Sequence, residues 1–128
     1  MRRTSPRRLF VDKAARWIVT AGGLAIIASI LGILFFIAWP EELLFRGLLQ
    51  NMLSRASKSD LAGWWTASLL FGFSHITNGG FPNWRYVLLA SIAGFFYGWT
   101  WRKTNSIFAS ALVHAAVDIL WHLLFRTV

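Results

Sequence analysis

A chain of 128 residues with 56% hydrophobic and 14% charged residues and a mean hydropathy of +0.53 falls well short of the roughly one-quarter charged fraction of soluble domains. It reads as one small membrane-embedded domain. The net charge of +8 does not imply a nucleic-acid partner, because six of the thirteen Lys and Arg crowd the first 16 residues instead of lining a polar face. The absence of Cys excludes disulfides, Cys-ligated zinc, iron–sulfur clusters and a thiol nucleophile.

In chain order, residues 1–16 hold Arg2, Arg3, Arg7, Arg8, Lys13 and Arg16 and read as a basic cytoplasmic arm or interfacial helix before a single membrane domain over 17–128. Trp17 to Pro40 is uncharged over 24 residues, enough to span a bilayer core of about 20 apolar residues. It is too long for the apolar core of a signal peptide and lacks a cleavage site, so it is expected to be an uncleaved anchor. Glu41 to Ser54 follows, too polar to face lipid and too apolar for a loop. It is expected to return as a helix, the alternative being a kinked continuation through Pro40. Leu61 to Ile76 is the next span, closed by the turn residues Thr77, Asn78, Gly79, Gly80, Phe81, Pro82 and Asn83. Tyr86 to Trp101, extensible through Trp84, and Ile107 to Phe125 complete an all-α, polytopic transmembrane bundle of four to five helices. With the return helix in place, ten bases collect on the cytoplasmic side against Arg85 and Arg126 opposite. That is the positive-inside pattern of a multi-pass protein of a prokaryotic plasma membrane with its N-terminus in the cytoplasm.

Ionisable groups inside membrane helices mark functional sites. Asp60 opens a helix and is expected to cap it; Glu41, Glu42 and Asp118 sit in apolar surroundings. Glu42 and Arg46 are four residues apart, share a face and can pair. Glu41, rotated by about 100°, is left without that partner. A buried, unpaired carboxylate holds a proton more readily, as a general base near neutral pH must. Counted from the helix ends at 1.5 Å per residue, Glu41 and His75 arrive at the same depth of about 21 Å. His114 and Asp118, four apart, also lie in the interior. Four polar residues from three helices can therefore meet. The competing readings are a helix N-terminus decorated with acids, a His75 that satisfies terminal carbonyls, and a His114 to Asp118 pair that glues helices. His122 is expected at the interface, and Ser74 lacks the G-x-S-x-G context of a nucleophile.

Glu41-Glu42-Leu43-Leu44-Phe45-Arg46-Gly47 resembles the E-E-x-x-x-R motif, Phe71-Gly72-Phe73-Ser74-His75 the F-x-x-x-H motif, and His114-Ala115-Ala116-Val117-Asp118 the H-x-x-x-[ND] motif of the CAAX-protease and bacteriocin-processing (CPBP, or Abi) family. These are intramembrane peptidases that include the Ras-converting enzymes. The segment Gly94 to Leu120, with its basic turn at Arg102-Lys103-Thr104-Asn105-Ser106, is similar to the stretch before the family's last motif.

The resemblance implies an endopeptidase acting on a membrane-associated, prenylated or C-terminally anchored peptide. In it Glu41 and His75 activate a water, Glu42 and Arg46 orient that first pair, and His114 with Asp118 stabilise the oxyanion. It implies no cofactor as the favoured case; Glu41, His75, His114 and Asp118 are also donor types that suit zinc. The chain is shorter than the family's usual members, which implies a minimal catalytic core or an oligomer. Two further classes compete: a non-catalytic immunity or anchoring protein of the same fold, and a proton or ion relay through the same four residues.

Overall fold

The computed structural model describes residues 6–125, with side chains from residue 11 onward. Two compact units are present, one ending at Gly32 and the other beginning at Ile33. The first is a single helix, α1 (Pro6–Gly32). Residues 6–16 of the expected arm are thus helical, and residues 1–5 lie outside the described residues. Trp17, Ile18, Val19, Leu24 and Ile26 are all exposed along α1, an outward-facing apolar surface that suits a helix in lipid.

The second unit consists of four helical runs: α2 (residues 33–57), α3 (Asp60–Ser74), α4 (Trp84–Thr104) and α5 (Ile107–Phe125). No β-strand occurs among the described residues. Two stretches, Val11–Ser57 and Ile107–Phe125, are long and apolar enough to cross a membrane.

The run α2 corrects the sequence reading. Glu41 to Ser54 does not return as a separate helix: residues 33–57 are helical throughout, with Pro40 inside them. A direct reversal at Pro40 would need further turn residues beside it, and no Gly, Asn, Asp or Ser stands between Gly32 and Gly47. The proline's missing N–H is accommodated by a change of helical register. Ile33–Ala38 is π-helical, Trp39–Glu42 is a short α-helical turn with Pro40 in its first positions, and Leu43–Gln50 is π-helical again before Asn51–Ser57 resumes the α form. Such wide turns gather at functional sites, and here they flank the two adjacent glutamates. The placement of the N-terminus in the cytoplasm relied on the return helix and loses that footing. Within the second unit, Arg55, Lys58, Arg102 and Lys103 still lie at one end. The two turns carrying them meet at a polar cavity lined by Gln50, Asn51, Ser54, Asp60, Trp101, Arg102 and Asn105.

The remaining boundaries follow from local chemistry. Ser59, not Asp60, caps α3, accepting from the Ala62 N–H at 3.2 Å; Asp60 sits in the first turn, where a carboxylate favours the helix dipole. The helix stops at Ser74, two residues earlier than expected, with His75 as its cap residue. Asn83 caps α4 through the Tyr86 N–H at 3.1 Å.

Small residues let α3 and α4 approach closely, as membrane helices do when apolar burial gives no drive to associate. A Cβ on Gly72 would lie 2.6 Å from the Val87 carbonyl oxygen. The core has two parts: Leu34, Ala38, Ala111 and Ala115 join α2 to α5, while Phe45, Phe71, Ala90 and Tyr97 join α2, α3 and α4.

Candidate active site

The polar residues singled out from the sequence converge between these core parts. Glu42 and Arg46, one turn apart on α2, are both fully buried, with Arg46 Nε 3.2 Å from Glu42 Oε2. A second guanidinium nitrogen of Arg46 donates to the Gly94 carbonyl at 2.7 Å. The approach at this glycine is close: a Cβ at position 94 would sit 3.2 Å from the same nitrogen and 3.1 Å from the Phe71 ring, so both would have to give by a few tenths of an ångström. The guanidinium also lies 4.8 Å from the centre of the Phe71 ring and 5.5 Å from that of Tyr97, so aromatic faces replace part of its lost hydration.

Glu42 has further partners. His114 Nδ1 stands 3.0 Å from its Oε1, and Ser110 Oγ lies 2.5 Å from its Oε2. Ser110 Oγ is also 2.9 Å from the Tyr97 carbonyl; its single hydrogen goes to the carboxylate, the shorter and charged acceptor. Glu42 and Arg46 therefore reach the second pair, through His114, and not the Glu41 and His75 pair that the resemblance implied.

Glu41 is placed differently. Its side chain is about one-third exposed, but its Oε2 is buried, 4.0 Å from His75 Nε2 and 3.8 Å from His114 Nε2, with no hydrogen-bond partner among the described residues. Asp118 Oδ2 lies 3.6 Å from the same His114 nitrogen. The two imidazoles thus aim Nε2 at one region from two helices.

Their orientation is fixed behind them. His75 Nδ1 is 2.8 Å from the Phe71 carbonyl, and a carbonyl only accepts, so Nδ1 carries the hydrogen and Nε2 of the neutral ring is a free acceptor. His75 satisfies a terminal carbonyl and faces the cluster with the same ring. The competing reading and the functional one describe opposite sides of one side chain. By the same logic His114 Nδ1 donates to the ionised Glu42. Stacked phenols hold both rings: Tyr86 lies 5.9 Å from His75 at 13°, and Tyr97 lies 4.4 Å from His114 at 15°.

A cavity of about 70 Å³ opens beside these groups, lined by His75, Tyr86, Tyr97, His114, Asp118 and Trp121 among others. Ser74 Oγ donates to the Phe71 carbonyl at 2.7 Å and lies 3.0 Å from His75 Nδ1, behind the ring face that carries Nε2. His122 is exposed, one turn beyond Asp118. Glu41, His75, His114 and Asp118 are of the donor types zinc takes; even so, no three His, Asp or Glu groups among the described residues are arranged to hold a metal ion.

Three contributors escaped sequence reasoning. Ser110 had a signal, standing four residues before His114 on the face that continues to Asp118. Tyr86 and Tyr97 had none, since ring stacking depends on how α4 packs.

The sequence profile of the Rce1-like family, described as type II CAAX prenyl endopeptidase, matches residues 23–120. A Bacillus subtilis (strain 168) protein, named uncharacterized protein YpbD, is 28% identical over 95 residues, covering 74% of this chain and 44% of that protein. The chain spans less than half the length of this relative. No solved structure matches.

Proposed function

The chain belongs to the Rce1-like family of type II CAAX prenyl endopeptidases, and from that premise we propose that it is an intramembrane endopeptidase in which Glu41 and His75 activate the attacking water. The observation that carries the reading is Glu41 Oε2, without a hydrogen-bond partner and 4.0 and 3.8 Å from two imidazole nitrogens. Separations of that size suit a bridging water at hydrogen-bond distance from both sides. Glu41 takes the proton of the water as its oxygen attacks the peptide carbonyl, and returns it to the leaving amide nitrogen. His75, with hydrogen on Nδ1, accepts from the water at Nε2 and orients it.

The oxyanion that forms needs a donor, and His114 Nε2 faces the place. Because Nδ1 already donates to Glu42, Nε2 donates only from a doubly protonated ring. Carboxylates stand on both sides of that ring, Glu42 Oε1 3.0 Å from Nδ1 and Asp118 Oδ2 3.6 Å from Nε2. Asp118 then acts on the ring instead of touching the oxyanion. The mechanism is metal-free; proteolysis that survives removal of divalent ions by a chelator supports this, and loss restored by zinc contradicts it.

The substrate proposed is a membrane-associated peptide, prenylated or anchored near its C-terminus, as the family's description suggests. The protein is proposed to be multi-pass in a prokaryotic plasma membrane, with the end bearing Arg55, Lys58, Arg102 and Lys103 toward the cytoplasm. In proteoliposomes, Glu41→Ala, His75→Ala and His114→Ala should each lower cleavage of a prenylated peptide by about 10²-fold or more while the protein still inserts. Cleavage at the rate of the unmodified protein in any of the three overturns the assignment.

A further inference from the structure

Away from the polar cluster, the first turns of α3 and the basic last turn of α4 form a second concave feature. Trp64, Phe95, Phe96 and Trp99 line a cavity of about 270 Å³. Beside it lies one of about 200 Å³, lined by Trp64, Trp99, Arg102 and Lys103. The two share both indoles, so an aromatic slot opens at one end onto two cations. On α4 the positions 95, 99 and 102, and equally 96, 99 and 103, recur at helical spacing and form one stripe running from apolar to basic.

The slot is built, not merely lined. Trp64 Nε1 donates to the Phe95 carbonyl at 3.0 Å, which locks that indole across the two helices. Phe95 meets Trp64 and Trp65 edge-on, with ring centres 5.7 and 4.4 Å apart. The guanidinium of Arg102 lies 4.8 Å from the centre of the Trp64 ring, which holds the charge at the mouth of the slot.

Neither Arg102 nor Lys103 takes part in an ion pair among the described residues. Asp60 shares a neighbouring cavity with Arg102 without pairing to it. It is the one acid at this end, against Arg55, Lys58, Arg102 and Lys103.

We propose that this slot binds one anionic phospholipid, its phosphate on Arg102 and Lys103 and the start of an acyl chain against Trp64, Phe95, Phe96 and Trp99. The depth is right for the boundary between headgroups and hydrocarbon. Trp64 stands four residues into α3 and Trp99 five from the end of α4, each about 6 to 8 Å from a helix end at 1.5 Å per residue. A zwitterionic lipid offers the same chain but no net charge, so the two cations select for the anionic head. The site depends on the chain lying in a bilayer and not on its being a peptidase.

The test is tryptophan fluorescence of the full chain in phosphatidylcholine vesicles containing an equal fraction of acyl-brominated phosphatidylglycerol or acyl-brominated phosphatidylcholine. Brominated phosphatidylglycerol should quench more strongly, with a relative association roughly fivefold higher. Arg102→Gln with Lys103→Gln should remove that excess, whereas Arg55→Gln with Lys58→Gln, which deletes the same charge away from the slot, should keep it. Trp99→Phe should reduce the excess by removing a reporter from the slot wall. Equal quenching by the two lipids in the unmodified protein overturns the site. So does an excess lost equally in both charge variants, which would mean general attraction to a charged surface.

Discussion

The polar cluster has two layers whose carboxylates differ in how fully they are bonded, although both begin from adjacent residues on α2; in the inner layer Arg46 Nε and Nη1 also lack hydrogen-bond partners among the described residues. In the inner layer Glu42 has no exposed surface and is held by Arg46, Ser110 and His114. In the outer layer Glu41 keeps about a third of its surface exposed, and its Oε2 has no hydrogen-bond partner among the described residues. A carboxylate whose oxygens are both engaged in the resting state resists change, and a carboxylate with an unengaged oxygen has a bond left to make. Neighbouring glutamates on one helix therefore divide the work: one builds the site and the other is left reactive. The π-helical turns on either side of Trp39–Glu42 belong to the same economy of design, since they carry the chain past Pro40 without turning either acid away.

That division can be broken from either side. The largest effect is expected from Glu41→Gln, which keeps shape and removes the base: turnover should fall by about 10³- to 10⁴-fold with the unfolding midpoint unchanged within error. Glu42→Gln should do the reverse in kind, destabilising by about 3–5 kcal/mol because it leaves the Arg46 charge buried without its counter-ion, measured by denaturant titration in detergent. His114→Ala touches both layers, and kcat should fall by about 10²- to 10³-fold together with a measurable loss of stability. Ser110→Ala removes one bond to a buried carboxylate and should cost about 1.5–3 kcal/mol while leaving the substrate KM unchanged. If Glu41→Gln proved as destabilising as Glu42→Gln, the two layers would be one structural network.

The chemistry was more legible in the sequence than the topology. Glu42 with Arg46 and His114 with Asp118 announce themselves by spacing, because residues four apart share a helical face whatever surrounds the helix. The convergence of Glu41, His75, His114 and Asp118 could be anticipated from depth alone, since in a membrane bundle distance from a helix end translates into height. The path of the chain at Pro40 could not. Proline is a helix breaker in the usual hydrogen-bonding register, and the shift to a π register that admits it leaves no compositional mark. His75 was legible only as two alternatives, because sequence does not say which nitrogen faces which way. Tyr86 and Tyr97, which hold the imidazoles, could not be read at all: their positions follow from the close approach of α3 and α4 at glycines, not from any local pattern.

The most direct measurement of the central claim is the mass of the products formed when the reconstituted protein meets a prenylated peptide with a C-terminal CAAX sequence in water enriched in ¹⁸O. Hydrolysis by an activated water predicts a shortened peptide whose new carboxylate carries one heavy oxygen, formed by the unmodified protein and not by Glu41→Gln. An uncleaved peptide with the unmodified protein, or the same labelled product from Glu41→Gln, would contradict it.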